Sequence, residues 1–533
     1  MSATEDLLRP WYERDPARLR WELANFADAG LKAIQLISND CLVIETAVEI
    51  SDRRQVDLRV IFPVEYPLAD PKVLATPGVI GPPHEVGGQL CLLDNPGVQW
   101  HPGRASVELV KRARGLLEDA LVGGPEALAK REEPVPLHTS ALRAYAPNMA
   151  MLVTDPFFEP PPEGLASGRF DLTTDEAGLF LLARVDGWGE ADPRLLTRAR
   201  CAHAAGEGFW GAATSMPATT DEMQKMFLAN PLLAHAMRNG TRWMALTYPE
   251  EGAFRGQPGR GWSFIEFSEA GPRLVQVQAY TFEQRMLRVP DLVGLQSCRF
   301  VLVGAGSVGG SVALHLARAG AGKLTIVDGE SYDVNNSVRH ELPACAAGMG
   351  KAVAIATQCE GANPFCEVGY LSQPLGEGNP RLTTDALAKA DMVIETTGSE
   401  MVTRIMERYC RALRIPLLTA SLTAGARGAD VLLLTPDLCF QCYLDAQDAG
   451  TIPMPDVGPA HEAVPAGCAS PTFAGAGFDA AELAAVITRT AVAGVGKTFY
   501  PTLGYNWAVL NFTSDPRWRA GILEPDAGCT HHR

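Results

Sequence analysis

Along the first third of the chain the apolar positions change period several times. Leu19, Leu23 and Phe26 recur at helical spacing, which predicts a helix over residues 16–29. Strand-like runs follow at residues 32–37, 42–50, 56–62 and 72–75. From residue 76 to residue 103 the pattern dissolves into a stretch rich in proline and glycine. A second helix is expected over residues 106–121. Helix, four-strand meander, irregular stretch and helix describe an α+β unit, assigned to residues 1–149.

Residues 150–282 read differently. Prolines at 156, 160, 161 and 162 mark loops, and strand candidates lie at 178–185, 242–248, 262–267 and 273–280. A helical patch spans 221–238. No chemical motif stands out, so this part is expected to be a β-rich linker or scaffold domain. Residues 283–533 alternate strand and helix from a first strand at 299–303, the signature of a doubly wound α/β domain with a parallel sheet.

Composition narrows the function. A chain of 533 residues is too long for one hydrophobic core. With 46 basic and 62 acidic residues the formal charge is −16, which repels phosphate backbones and argues against a general nucleic-acid role. No apolar run reaches membrane-spanning length, and the first ten residues lack the basic and apolar regions of a signal peptide. A cytoplasmic protein without membrane contact is expected. Twelve scattered cysteines then imply reduced thiols, not a disulfide framework. Cys41, Cys201, Cys298, Cys345, Cys359, Cys366 and Cys410 read as small buried apolar residues. Cys91, Cys439, Cys442, Cys468 and Cys529 sit in contexts that suggest chemistry.

The run from Val301 through Gly304, Gly306, Gly309 and Gly310 leaves a strand and enters a helix. Glycines there permit a tight turn and let backbone N–H groups approach phosphates. A second strand, 323–327, ends in Asp328, which can hold a ribose hydroxyl. To this point the pattern fits any nucleotide-binding Rossmann domain, and an NAD-dependent oxidoreductase is the default expectation. Asn336, Arg339 and Lys351 change that, because a polar, cationic set suits transfer of a nucleotidyl group from a triphosphate. The arrangement resembles the ThiF-like adenylation domains of ubiquitin-activating enzymes and their relatives in thiamin and molybdopterin synthesis. The resemblance implies ATP and Mg2+, with Asp328 on ribose and Asn336, Arg339 and Lys351 on phosphates. It also exposes a departure. Gly398 stands where the family usually carries its magnesium-binding aspartate, leaving Glu395 as the nearest candidate and Asp391 as the next.

Cys439 and Cys442 have the spacing that lets two thiolates reach one tetrahedral zinc. Cys529 and His532, near the end of the chain, could complete a Zn2+ site of the kind such relatives carry. Cys468 lies between a loop rich in Gly, Pro and acid and a helix expected over about 479–492. A cysteine near a helix N-terminus has more thiolate, and Cys468 is the expected thioester-forming residue of this domain.

The N-terminal unit carries a further resemblance. Phe62-Pro63, Tyr66-Pro67 and Pro71, then Gly88 and Cys91, then Trp100 and Pro102 follow the order seen in ubiquitin-conjugating enzymes. The resemblance makes Cys91 the acceptor of an acyl group. Those enzymes usually place a His-Pro-Asn triplet before the cysteine. Here Pro83-His84-Glu85 stands in that region and no asparagine is present.

Together the two units resemble bacterial fusions of conjugating and activating domains found in antiphage operons, among them the CBASS systems. What that implies is ATP-dependent activation of a protein C-terminus, either a ubiquitin-like protein or a cGAS-like nucleotidyltransferase. Thioesters on Cys468 and then Cys91 would follow, and ligation to target amines. A homodimer is implied too, with Arg285 or Arg288 reaching the partner's nucleotide. The alternatives are a sulfur-carrier adenylyltransferase, which would have no use for Cys91, and the oxidoreductase.

Overall fold

The computed structural model describes residues 9–38, 41–80, 85–86, 88–93, 99–124, 127, 145–153, 166–174, 180–185, 203–214, 220–251, 258–269, 271–279, 282–376, 379–458, 474–512, 516–526, 528–529 and 531. The chain divides into two compact units. One comprises residues 1–191 and 201–279, the other residues 192–200 and 280–533.

The first unit opens with α1 (Trp11–Arg14) and α2 (Pro16–Asp28). Asp15 caps α2 by accepting from the Arg18 N–H, and Pro16 occupies its first turn, where the missing N–H costs nothing. Six strands follow: β1 (Ile34–Ser38), β2 (Cys41–Glu49), β3 (Gln55–Ile61), β4 (Lys72–Leu74), β5 (Glu85–Val86) and β6 (Gln89–Leu90), in sheet order β1-β2-β3-β4-β6-β5. Strict alternation in β3 buries Val56, Leu58 and Val60, and these pack with Phe26 of α2 and Val110, Ala113 and Leu116 of α3 (Val107–Glu118). A buried polar knot fixes this packing. The Glu22 carboxylate is fully buried, accepts from Ser106 N at 2.8 Å, Ser106 Oγ at 2.7 Å and the Tyr66 hydroxyl, and pairs with Arg18 at 2.8 Å.

The same unit contains a closed barrel. Its strands are β7 (Tyr145–Val153), β8 (Ser167–Thr174), β9 (Phe180–Val185), β10 (His203–Ala212), β11 (Trp243–Glu251), β12 (Pro258–Ser268) and β13 (Gly271–Ala279), closing in the order β10-β11-β12-β13-β7-β9-β8. The expected helical patch is two helices, α4 (Thr220–Ala229) and α5 (Pro231–Arg238). They separate because Pro231 starts a new helix and the Asn230 side chain caps it, accepting from Leu232 N and Leu233 N.

The second unit begins with α6 (Phe282–Met286) and builds an eight-stranded sheet. Its strands are β14 (Arg299–Val303), β15 (Lys323–Val327), β16 (Glu367–Leu371), β17 (Met392–Glu395), β18 (Leu417–Leu422), β19 (Gly428–Leu434), β20 (Trp507–Asn511) and β21 (Arg517–Gly521), ordered β16-β15-β14-β17-β18-β19-β20-β21. The first five strands are parallel and the rest antiparallel. Alternate residues of β14 serve two cores, which is why the run reads as continuously apolar. Phe300 and Leu302 pack with α7 (Ser307–Ala319), α8 (Lys351–Ala362) and α12 (Gly477–Gly494). Val301 and Val303 pack with α9 (Pro380–Leu387), α10 (Glu400–Leu413) and α11 (Phe440–Asp448). The expected mixed α/β class and doubly wound C-terminal region are thus what the structure shows.

Candidate functional site

The order of the parallel strands reverses between β14 and β17, and a crevice opens beyond their C-terminal ends. A cleft of about 540 Å³ lies there, and it gathers Gly304, Gly306, Asp328, Asn336, Arg339 and Lys351. The turn from β14 into α7 forms its floor. Gly304 has φ +94°, and a Cβ there would lie 3.0 Å from Thr397 Cγ2. Gly309 does not line the cleft. It lets α7 sit against the turn, since a Cβ would lie 2.0 Å from the Gly304 carbonyl oxygen. Gly306 is different again: nothing lies within 4 Å of the Cβ it lacks. It caps α7 without a side chain to accept from the helix's first N–H groups.

Asp328 lies at the end of β15. One carboxylate oxygen accepts from Ala305 N at 2.8 Å, the other from Glu330 N at 2.8 Å, which ties β15 to the glycine turn. Arg339 donates to Asn336 Oδ1 at 2.7 Å, and burial holds its pKa below the usual arginine value. Lys351 pairs with Glu330 at 2.5 Å, the lysine largely buried and the glutamate largely exposed. His340, which the sequence reading passed over, also lines the cleft. Its Nε2 lies 2.9 Å from the Ala305 carbonyl and its Nδ1 3.1 Å from Leu342 N. A backbone N–H can only donate, so Nδ1 accepts and Nε2–H donates. Its position directly after Arg339 was the available signal.

Glu395 stands outside the cleft. It is fully buried, and its oxygens accept from Thr397 N at 2.7 Å, Thr397 Oγ1 at 2.5 Å, Thr403 Oγ1 at 2.7 Å and Thr419 Oγ1 at 2.8 Å. Asp391 lies at the opposite end of β17, accepting from Arg299 N and pairing with Lys497 at 2.7 Å. Gly398 does line the cleft, at φ +69°, with open space where a side chain would go.

Away from the cleft, Cys439, Cys442 and Cys529 come together, all buried, with their sulfurs within 4.8 Å of one another. Cys439 Sγ lies 3.4 Å from Cys442 Sγ and 3.6 Å from Cys529 Sγ. Tetrahedral zinc with Zn–S near 2.3 Å sets its sulfurs roughly 3.8 Å apart, so the trio fits three of four ligands. Burial pushes the Cys439 thiol up to about 12, while the His531 backbone N–H leads the groups that pull Cys529 down to about 7. His531 Nδ1 lies 3.8 Å from Cys529 Sγ. His532 lies outside the described residues, as do Cys468 and His84.

In the first unit Cys91 follows β6, half-buried between Leu90 and Leu92, which both point into the core. Burial pushes its thiol above the ordinary cysteine value. The preceding loop is held by Glu85, whose buried carboxylate accepts from Gly78 N at 2.6 Å, Ile80 N at 3.0 Å and Gly88 N at 3.1 Å. Trp100 donates to the Pro67 carbonyl at 2.8 Å, joining the two proline segments that flank the cysteine in sequence. Of the cysteines expected to be buried, Cys298, Cys359, Cys366 and Cys410 are; Cys41 is half-buried, Cys345 is exposed, and Cys201 lies outside the described residues. Cys345 sits in a short 3-10 turn that buries Ala346 and leaves the cysteine exposed.

Comparison with known proteins adds the following. Residues 283–505 match the model of the ThiF family. The chain is 29% identical over 297 residues to protein y4oA of Sinorhizobium fredii, an overlap of 51% of this chain and 50% of that protein. It is 30% identical over 166 residues to the ATP-dependent ubiquitin transferase-like protein Cap2 of Vibrio cholerae, covering 29% of this chain and 27% of Cap2. With the sulfur carrier protein ThiS adenylyltransferase of Escherichia coli it shares 30% identity over 151 residues, covering 28% and 58%. The chain spans about half the length of the first curated relatives it matches. Among solved structures, E. coli MccB with ATP overlaps with TM-score 0.36 at 17% identity, covering 45% of this chain and 68% of that one. Residues 283–505 are a ThiF-like domain on a Rossmann-like α/β sheet.

Proposed function

We propose that this chain uses ATP to activate the C-terminal carboxylate of a protein partner and passes the acyl group through two thioesters to an amine. The observation that carries the reading is the cleft itself, where an uncapped helix N-terminus, Arg339 and Lys351 converge beside Asp328. Such donors suit the charge of a triphosphate. Hydride transfer needs no such set, which disfavours an oxidoreductase. The matches to a ubiquitin transferase-like protein and to a sulfur-carrier adenylyltransferase point to the same chemistry.

In this reading Asp328 holds the ribose, and Asn336, Arg339 and Lys351 hold the phosphates. The partner carboxylate attacks the α-phosphorus, forming an acyl adenylate and releasing pyrophosphate. The Cys468 sulfur then attacks the acyl carbon and AMP leaves. Cys91 takes the acyl group from Cys468, its thiol proton passing to the departing sulfur. A target amine finally attacks the Cys91 thioester, giving an amide and restoring the thiol. Each transfer replaces one difficult acyl transfer with easier ones. Because burial raises the Cys91 thiol, Cys91 rests protonated at neutral pH and needs a base when it reacts. Zinc bound by Cys439, Cys442, Cys529 and His532 would clamp the chain end to α11; the three described sulfurs fit that role. Residues 1–149, 150–282 and 283–533 serve as conjugating, linking and activating domains, acting in the cytoplasm, as a homodimer and in antiphage defence.

Pyrophosphate exchange into ATP tests the first step: exchange that depends on the genomic neighbour's intact C-terminus supports it, and none with any neighbouring protein sinks it. The relay predicts a thiol-reducible adduct on wild-type protein that vanishes in Cys91→Ala. If Cys91→Ala changes nothing, the chain is an activator alone, as the ThiS adenylyltransferase match would have it.

A further inference from the structure

The ThiF-like resemblance carries a magnesium ion with it, and the donors of this cleft do not fit one. Among the described residues, the two carboxylates that line the cleft, Asp328 and Glu330, and the two expected as metal ligands, Glu395 and Asp391, each have other work. Glu395 is buried and takes four hydrogen bonds from three threonines. Both oxygens of Asp328 accept backbone N–H groups, and in the nucleotide reading their remaining lone pairs take the ribose hydroxyls. Glu330 is paired with Lys351. Asp391 is ion-paired at the far end of β17. The hydroxyls of Thr396 and Thr397 donate to Gly304 O and to Glu395. Gly398 presents no side chain to the space beside them. A hard cation needs several oxygen ligands, at least one usually a protein carboxylate.

We infer that this cleft binds its nucleotide without a protein carboxylate dedicated to magnesium, and that Arg339 and Lys351 carry the phosphate charge instead. The inference rests on the nucleotide reading of the cleft. Magnesium then reaches the site, if at all, as a passenger on the phosphates with its remaining positions filled by water. Glu395 is a positioning residue: its bonds to Thr397 fix the turn that carries Gly398, and those to Thr403 and Thr419 anchor that turn to α10 and β18. The missing ligand belongs at position 398. An aspartate tolerates the left-handed backbone that Gly398 adopts, and the open space there would admit its side chain.

Titration of the full-length protein with α,β-methylene ATP, in EDTA and in millimolar magnesium, tests this by calorimetry without turnover. Wild-type affinity should change by less than about threefold between the two buffers, under 1 kcal/mol by the usual conversion. Gly398→Asp should bind at least about tenfold tighter with magnesium than without. Glu395→Gln should leave the magnesium response as in wild type, while lowering Tm. Tenfold tightening of the wild type by magnesium overturns the inference, and so does its loss in Glu395→Gln or Glu330→Gln. A folded Gly398→Asp that ignores magnesium overturns the assignment of position 398. If that variant does not fold, the wild-type comparison still decides. No binding in either buffer refutes the nucleotide reading instead, and with it this inference.

Discussion

Gly306 and Gly309 lie three residues apart on one turn, yet their replacement by alanine should fail in opposite ways. At Gly309 the new Cβ would stand 2.0 Å from the Gly304 carbonyl oxygen and 2.6 Å from Thr396 Oγ1. An ordinary carbon–oxygen contact is about 3.3 Å, so the overlap is roughly 1.3 Å against backbone that cannot rotate away. Forcing extra volume into such a contact costs about 1–3 kcal/mol, and the better helix propensity of alanine returns at most about 1 kcal/mol. For a unit of this size each kcal/mol moves Tm by about 2–4 °C, so Gly309→Ala should melt several degrees early. At Gly306 the same methyl meets nothing within 4 Å, and φ is −73°, so stability should change by less than about 1 kcal/mol. Gly306 lines the cleft at the start of α7, so in the nucleotide reading a methyl there should crowd the phosphates and weaken binding of α,β-methylene ATP about tenfold or more. Differential scanning fluorimetry and calorimetric titration of the two variants check the contrast. If Gly306→Ala binds as wild type, or melts as early as Gly309→Ala, the turn is packing alone and not a phosphate cradle.

Other expectations are as direct. Arg339→Ala and Lys351→Ala should each lower pyrophosphate exchange about a hundredfold or more while leaving Tm within a few degrees, because both act on phosphate charge; equal losses of Tm and exchange would make them structural. Zinc should co-purify at one ion per chain, and chelation or Cys442→Ser should lower Tm and release it, as elemental analysis would show. His340 has a pKa lowered chiefly by burial, with Asp328, Lys351 and Glu341 as the charges facing it. Burial favours the neutral ring, so its stabilisation is present above the unfolded value of about 6.5 and is lost as pH falls through the lower folded value. Melting curves across that range should show the loss, and His340→Gln should flatten that part of the profile.

How much of this was legible depended on how local the signal was. β14 and β15 span the expected residues 299–303 and 323–327, and in β14 the four residues after Arg299 are all buried, which leaves no ambiguity of phase. Three barrel strands left no such trace. β10 carries Gly206, Gly208 and Gly211, residues that argue against a strand when read singly. The structure explains two of them: a Cβ at Gly208 would strike the Phe170 ring at 2.2 Å, and one at Gly211 would strike Leu233 at 2.7 Å. Their purpose is set by side chains far along the chain, so no window of sequence contains it. In the cleft, the glycine turn, Asp328, Asn336, Arg339 and Lys351 were readable because they lie on consecutive elements at fixed spacing. Ser421 and Leu422, which close the cleft from β18, belong to no motif.

Glu395 and Glu85 show why acids near a reactive centre are the hardest residues to read. Each stands beside a position where chemistry was expected, Glu395 near the phosphates and Glu85 before Cys91, and each is at most 3% exposed. A bare carboxylate at such depth would be prohibitive, so either a cation or a full set of donors must accompany it. Among the described residues the donors include three backbone N–H groups at Glu85, and one N–H and three hydroxyls at Glu395. The backbone donors come from loops that would otherwise carry unpaired N–H groups, and around Glu395 the Thr403 and Thr419 hydroxyls add a helix and a strand, so the carboxylate organises the loop more than the loop serves the carboxylate. The same logic separates them from Asp328. It too accepts two backbone N–H groups, but it is only half-buried and borders open space, so it keeps lone pairs for a ligand. The distinction between a scaffold acid and a ligand acid therefore lies in exposure to the cleft and in the number of donors already engaged. Neither quantity is written in the residues adjacent to the acid.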